Sequence, residues 1–367
     1  MYMSKIQNYF NSLMNRVFPI GQIVQNLPYA MIFKTTHWCP NKCPHCCESA
    51  GAHMPKTFIP ADVVEQYIKQ AKTDPKFSRE LVFTGGEVMS AYQHHDTQYV
   101  PQLLNMALDN GCQVDIKTNA GWAIAKNTMR EQIFNDLVGV LSAHSTSAFR
   151  MTPMQISLSL DRFHPHAMQK NVAFITEMAQ RQHNSSCLIH ITSFEKDADM
   201  FAELLNNLTT KYDVYQLVAF GGENNGNISQ TMSDTLWSVN GNIVLKFSIG
   251  TLFDGGRAKD IDGAYHTPEP RFAFISGRQN PMLLMAFDTF GNVTLGENSG
   301  KKITVPWRDN DGNPRPLSEI RRNLVKQTRK TEVQYTAETF VAVNKAVFKS
   351  IKQDINTALG RIGIKKR

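Results

Sequence analysis

The chain has 367 residues, 42% hydrophobic and 19% charged, a balance that supports a folded core and excludes a disordered chain. Lys and Arg outnumber Asp and Glu by 39 to 32, a mild excess that does not by itself indicate nucleic-acid binding, and no nucleic-acid motif is present. No apolar run reaches the roughly 18 residues of a membrane-spanning helix. Six cysteines, three of them within eight positions, do not form a disulfide framework.

The first 17 residues predict an amphipathic helix, because Ile6, Phe10, Leu13 and Val17 follow helical spacing. We expect this helix to dock on the protein rather than to lie on a membrane surface. The segment has no continuous apolar stretch of the kind found in signal peptides, so a cytoplasmic location is predicted.

Short β-rich runs then alternate with helical stretches, which predicts βαβ units and a parallel sheet. Six strands are predicted before about residue 250, at residues 31–36, 81–84, 112–118, 154–160, 188–192 and 215–220. Helices are predicted between them at residues 60–72, 99–109, 171–181 and 198–209.

Three of these strands alternate polar and apolar residues, as in the run from Gln155 to Asp161. Fully buried parallel strands are usually continuous apolar runs. One face of the sheet is therefore predicted to line a cavity that holds a polar ligand, in preference to an edge that faces solvent.

The sequence changes character after Gly250. A β-hairpin is predicted over residues 282–304 with its turn at Gly291–Asn292, followed by a polar loop and a long amphipathic helix over residues 338–359. The predicted domains are an N-terminal helix and linker (1–29), a main domain (30–260) and a C-terminal extension (261–367).

The cysteines that carry chemistry are Cys39, Cys43 and Cys46, spaced C-x3-C-x2-C directly after the first strand. Three thiolates on one loop can bind three irons of a cubane cluster, which ordinarily takes about four cysteines. Zinc is the main alternative, although no second Cys or His pair follows at the spacing that structural zinc sites use.

With this loop the sequence resembles the radical S-adenosylmethionine (SAM) superfamily. The segment Gly85-Gly86-Glu87, one βα unit later, resembles the segment that holds the SAM amino group in that family, although Val88 stands where a proline often follows. The resemblance covers residues 30 to 260. It implies an α/β fold, a partial (β/α)6 TIM-like barrel that is open on one side, with a C-terminal α+β extension.

The resemblance also implies further site residues at the strand ends. Asn119, Ser159 and Asp161 correspond to contacts of the SAM ribose and carboxylate, and His190 and Thr192 to contacts of adenosine or substrate. Arg257 lies in a Gly-Arg-Ala segment found after the barrel in many members, where it pairs with a carboxylate or forms a surface ion pair.

Two further residues are candidates for catalysis. His164 lies in the loop after the fourth strand and is either an acid/base or substrate-binding group or an ordinary loop histidine. Cys187 is either a hydrogen-atom donor or a buried core thiol, with the core role favoured. The hairpin resembles SPASM and twitch extensions, but no cysteine follows Cys187, so no auxiliary cluster is expected.

The resemblance implies an enzyme that uses one 4Fe–4S cluster to cleave SAM reductively to a 5′-deoxyadenosyl radical, which abstracts hydrogen from a substrate. Rearrangement, epimerisation, cyclisation or addition on a small metabolite, nucleotide or peptide is expected. A flavodoxin- or ferredoxin-like electron donor is implied. The alternative is a non-catalytic iron–sulfur or zinc-binding protein.

Overall fold

The computed structural model describes residues 28–144, 153–181, 187–219, 235–250, 257, 283–295 and 303–328. The helices predicted at residues 1–17 and 338–359 lie outside the described residues, as does the glycine pair before Arg257. Within the described ranges, no helix is both long enough and apolar enough to cross a membrane.

The described residues form strands and helices in this chain order: β1 (Tyr29–Thr36), α1 (Ala61–Lys72), β2 (Phe77–Gly85), α2 (Ala91–His94), α3 (Tyr99–Asp109), β3 (Gln113–Thr118), α4 (Thr128–Ala143), β4 (Met154–Ser159), α5 (Ala167–Gln180), β5 (Cys187–Phe194), α6 (Asp199–Thr209), β6 (Val214–Ala219), β7 (Thr235–Val239), β8 (Ile243–Gly250), β9 (Leu283–Phe287), β10 (Asn292–Leu295), β11 (Ile303–Pro306) and α7 (Leu317–Thr328). They belong to two compact units, a larger one (residues 33–69 and 79–265) and a smaller one (residues 1–32, 70–78 and 266–367).

The larger unit contains an open sheet in the order β1-β2-β3-β4-β5-β8-β7-β6. Neighbouring strands from β2 to β5 are parallel, and β8 is parallel to β5. Helices connect the parallel strands along the chain, as parallel pairing requires. The predicted α/β class is confirmed, and the open parallel sheet is consistent with a partial (β/α)6 barrel.

The sixth parallel position differs from the sequence-based expectation. It is occupied by β8, whereas the predicted strand at residues 215–220 corresponds to β6, which lies beyond β7 at the sheet edge. Antiparallel β7 joins β8 through a short turn in which Asn240 and Gly241 both have positive φ, 53° and 73°. Asn and Gly tolerate that conformation, and the turn folds β7 back onto β8.

The two faces of this sheet differ as the alternating strands predict. Along β5, Ile189 and Ile191 are buried, whereas His190 and Thr192 are partly exposed. On the apolar face, Phe201 of α6 stacks on Phe247 of β8 with ring centroids 4.3 Å apart. Helices therefore cover the apolar face, and the other face carries polar groups.

The smaller unit contains the predicted hairpin. β9 pairs with β10 and β10 with β11, all antiparallel, and the first turn passes through Gly291 at φ +90°. Helix α7, which the sequence analysis did not predict, packs in the same unit, where Arg321 forms an ion pair with Asp74 and lies over the ring of Tyr29.

Candidate functional site

The cysteine loop, residues 37–51, begins where β1 ends. Its ends are held together by a bridge between Trp38 and Gly51, and Cys39 N donates to Gly51 O at 3.4 Å. Within the loop, Cys46 N donates to Cys43 O at 3.2 Å. Cys39 and Cys43 are buried, at 8% and 6% exposure, and Cys46 is half-buried. The loop is thus a compact turn that carries the three predicted thiols.

The electrostatics of this loop suit a bound cation. Burial and the neighbouring Glu87 raise the pKa of the Cys39 thiol to about 12, and Cys43 and Cys46 act in the same direction. A bound metal would supply the positive charge that favours three adjacent thiolates, and thiolates select iron–sulfur clusters or zinc.

Arg257 is tied to the cysteine loop at two points. Its Nε donates to Cys43 O at 2.9 Å, and its backbone N donates to Cys46 O at 3.0 Å. Its Nη2 is buried and has no hydrogen-bond partner among the described residues. The guanidinium therefore supports the loop and keeps a free donor, which suits the predicted contact with a carboxylate.

Gly85 and Gly86 allow the end of β2 to approach the end of β1 closely. A Cβ atom on Gly85 would lie 2.2 Å from Thr36 O, and one on Gly86 would lie 2.1 Å from Trp38 O. Gly86 N and Glu87 N donate to these same carbonyls at 2.7 and 2.9 Å. Any larger residue would push the two strand ends apart, so both glycines are required by the backbone beneath the cysteine loop.

Glu87 is buried at 3% exposure, and protein donors meet both of its oxygens. Oε1 accepts from Thr118 Oγ1 at 2.7 Å and from Met89 N at 3.0 Å. Oε2 accepts from Asn119 N at 2.8 Å. Burial raises the pKa of Glu87, while these hydrogen bonds oppose the shift. The carboxylate thus ties β2 to the end of β3, in addition to the predicted contact with the SAM ammonium group.

Asn119 connects Glu87 to the cysteine loop. Its side-chain Nδ2 lies 3.7 Å from Cys39 Sγ, and its Oδ1 accepts from Gly121 N at 2.8 Å. The amide therefore faces the cysteine loop, while the predicted contact of Asn119 with SAM stays a prediction.

Asp161 and His164 form a buried pair at the end of β4. Asp161 Oδ2 lies 2.8 Å from His164 Nδ1, and Oδ1 accepts from the backbone N of His164 at 3.1 Å. Burial alone would lower the pKa of His164, but hydrogen bonds to Asp161 and Cys43 raise it to about 9. The pKa of Asp161 is lowered in turn, because the interactions with His164 outweigh the cost of burial. His164 is therefore not an isolated loop histidine, because its ring also packs against His45 of the cysteine loop.

His45 was missed by the sequence analysis, although it directly precedes Cys46 in the cysteine motif. Its ring packs against His164 with centroids 4.6 Å apart, and against Phe163 and Phe194. Burial and the charge of His164 lower the pKa of His45 to about 4. One ligand atom each from His45, Asp161 and His164 lie within 4.8 Å of one another, a grouping that can hold a metal ion.

The polar face of the sheet carries a hydrogen-bonded group around His190. Its Nε2 lies 2.6 Å from Ser248 Oγ and its Nδ1 lies 3.1 Å from Gln155 Nε2. Ser157 Oγ donates to Asp115 Oδ1 at 2.6 Å. Burial lowers the pKa of His190 to about 4. The charges of Lys246 and Lys117 also lower it, whereas the charge of Asp115 opposes the shift. His190 is thus a neutral imidazole held between strands.

The other predicted residues fall in two places. Ser159 and Thr192 are paired in register next to the strand ends; Ser159 O accepts from Asn171, and Thr192 Oγ1 donates to Leu158 O. Cys187 is fully buried at the opposite end of β5, and burial raises its pKa to about 12. Seven residue steps along the strand, about 23 Å, separate it from Phe194, a position that favours the core role.

Comparisons with known proteins give remote structural similarities. No family model and no curated protein matches the chain. Among solved structures, Streptococcus suis SuiB bound to S-adenosylmethionine is 16% identical with a TM-score of 0.40, over 74% of this chain and 60% of SuiB. The structure of native anSMEcpe with bound AdoMet is 10% identical with a TM-score of 0.39, over 91% of this chain and 100% of that one. The chain thus spans about 60% of the length of SuiB.

Proposed function

We propose that the chain is a radical SAM enzyme in which Cys39, Cys43 and Cys46 hold one 4Fe–4S cluster. The observation that supports this most strongly is the compact cysteine loop at the C-terminal end of β1, where ligands bind in parallel α/β folds. Cys112 and Cys187 are buried elsewhere, and Cys47 adjoins Cys46. Three cysteine ligands leave one iron of a cubane cluster open for SAM.

The chain's own residues would bind and orient the reactants around this loop. Arg257 holds the loop closed through Cys43 O, and Asn119 directs its amide toward Cys39. Gly85 to Glu87 would place the SAM ammonium group, and Ser159, Asp161 and Thr192 lie at the strand ends where the rest of SAM is proposed to bind. When bound, the cluster supplies the electron that cleaves SAM to a hydrogen-abstracting radical.

The proposed substrate is a small molecule, nucleotide or peptide, and the proposed electron donor is flavodoxin- or ferredoxin-like. His164 is the proposed substrate-facing imidazole. Both ring nitrogens of His190 are paired with Ser248 and Gln155, so His190 is proposed to support the polar face of the sheet rather than to contact adenosine or substrate.

The test is anaerobic reconstitution of the full chain with iron and sulfide, followed by addition of SAM and dithionite. We expect about four irons per chain, the content of one cubane cluster, and 5′-deoxyadenosine detectable by mass spectrometry. A reconstituted chain with four irons that forms no 5′-deoxyadenosine with SAM would overturn the enzymatic proposal. About eight irons with matching sulfide would show a second cluster.

The second candidate, a zinc-binding protein, is favoured by one observation. His45, Asp161 and His164 form a group of potential zinc ligands, and His45 belongs to the cysteine loop. Metal analysis of anaerobically purified protein separates the two candidates: one zinc per chain that resists replacement by iron and sulfide would favour this second function.

A further inference from the structure

Lys170 is a buried lysine that the sequence analysis did not single out. It lies in the first turn of α5, where its backbone N donates to His166 O at 3.0 Å, and it is only 4% exposed. Across the described ranges of the chain, its Nζ makes no hydrogen bond or ion pair. The side chain lies in the buried stripe of Ala167, Asn171 and Phe174, but its Nζ is not among the fully buried unpartnered nitrogens, so the ammonium at its end borders open space.

The charges that favour this ammonium come from the cysteine loop and its support. Burial lowers the pKa of Lys170, whereas Cys43, Glu87 and Cys39, in that order, favour its charged form. Glu87 already has three protein donors on its two oxygens. These donors are neutral and leave the charge of the carboxylate in place, so Lys170 faces the negative charge of Glu87 together with that of Cys43 and Cys39 when they are ionised.

Gly121 lies between the ammonium of Lys170 and the side chain of Asn119. A Cβ atom on Gly121 would lie 3.6 Å from Lys170 Nζ, 3.7 Å from its Cε and 2.9 Å from Asn119 Oδ1. Asn119 in turn reaches Cys39 Sγ through its Nδ2 at 3.7 Å. The ammonium, the Asn119 amide and the Cys39 thiol therefore border one region beside the cysteine loop.

We propose that Lys170 is the counter-charge of the metal centre held by Cys39, Cys43 and Cys46, and that it raises the reduction potential of that centre. The inference rests on the proposed function. One-electron reduction by the external donor adds one negative charge at the centre, and a fixed cation in a low-dielectric site stabilises the reduced state more than the oxidised state. Lys170 acts on the metal centre through its electric field, so it is a positioning residue and not a catalytic residue.

The test is a redox titration of the reconstituted full chain without SAM. Electron paramagnetic resonance measures the reduced cluster at each potential. Lys170→Met should make reduction at least tenfold less favourable, a fall of about 59 mV for a one-electron couple. Lys170→Arg, which keeps the charge, should recover more than half of that shift. Lys211→Met is the matched control, because it removes the same charge from an exposed turn after α6 and should leave the potential unchanged.

A Lys170→Met protein with full iron content and an unchanged potential would overturn the inference. Weaker SAM binding with an unchanged potential would also overturn it, by assigning Lys170 to SAM instead. Should Lys170→Met not assemble a cluster, Lys170→Gln provides the same comparison. A wild-type chain that assembles no cluster contradicts the proposed function itself, whereas an unmoved potential in a loaded variant contradicts only the role of Lys170.

Discussion

The group around His190 and the loops at the strand ends differ in how their polar groups are satisfied. On the sheet, His190, Ser248, Gln155 and Ser157 are hydrogen-bonded to one another or to Asp115. At the strand ends, His45 Nδ1 and Arg257 Nη2 are buried without hydrogen-bond partners among the described residues. Buried polar groups are almost always paired. The first group is therefore complete within the protein, and the second is arranged for something bound.

The largest expected effect is loss of the cluster when one of the three proposed cysteine ligands is replaced. Cys43→Ala should abolish the charge-transfer absorbance of the reconstituted protein, because only two of the three proposed cluster ligands remain. Cys47→Ala is the matched control, since it removes a half-buried thiol from the same loop, and it should keep the absorbance. A full-strength spectrum in Cys43→Ala would contradict the assignment.

Substitution of Glu87 tests whether a carboxylate that already accepts hydrogen bonds from the protein also binds a ligand. Glu87→Ala leaves Thr118, Met89 and Asn119 without their acceptor, and we expect the free energy of unfolding to fall by about 4 kcal/mol, at roughly 1–3 kcal/mol per buried unsatisfied group. Urea denaturation measures this loss.

The same variant addresses the predicted contact with the SAM ammonium. Removal of a charge-assisted hydrogen bond should weaken SAM binding by about ten- to a hundredfold, at tenfold per 1.4 kcal/mol. Calorimetry with reconstituted Glu87→Gln, which keeps the shape of the side chain, provides the comparison. Equal SAM affinity in wild type and both variants would show that Glu87 is purely structural.

His190 should make the protein sensitive to acid. Its pKa is about 4 in the folded protein and 6.5 in the unfolded chain, so the unfolded chain binds more protons between these values. Stability is therefore complete above pH 6.5 and is lost as the pH falls toward 4. After allowance for partial solvent access, the loss is about 2 kcal/mol.

The measurement is the free energy of unfolding of wild type and His190→Gln between pH 7 and pH 4. The difference between the two proteins should narrow by about 2 kcal/mol on acidification. His53→Gln, at an exposed position, should follow the wild-type profile. A His190→Gln protein with the wild-type acid sensitivity would show that the imidazole is not held neutral by its neighbours.

The sequence predicted the parts of this molecule that depend on local pattern. Helix α3 was predicted with its observed bounds, and β4 to within one residue, because apolar spacing and flanking glycines act locally. The position of β8 beside β5 was not predicted, since strand order depends on tertiary packing. The Asn240-Gly241 pair, which has positive φ at both residues, is a sequence pattern typical of hairpin turns that the sequence analysis did not use.

The candidate site shows the same division. The cysteine spacing identified three thiols, but the contacts of His164 with His45 and of Arg257 with Cys43 O join segments far apart in sequence. His45 and Lys170 were missed because one lies inside the motif that drew attention to its cysteines, and the other resembles an ordinary helix lysine. Only the fold shows that Lys170 belongs to a buried stripe.

The smallest expected effect concerns Cys187, at the far end of β5 from the cysteine loop. The thiol is fully buried beside Ile243, and it behaves as a small apolar group. Cys187→Ala removes one sulfur atom from a packed core, so we expect a loss of about 1 kcal/mol in the free energy of unfolding. The iron content and the charge-transfer absorbance should match those of wild type, because the variant leaves every residue of the loop in place. Denaturation and iron analysis of the same preparation test both expectations. A reconstituted Cys187→Ala protein that lost its cluster would show that the two ends of β5 are coupled, and the contrast between a self-contained sheet and a ligand-binding end would no longer hold.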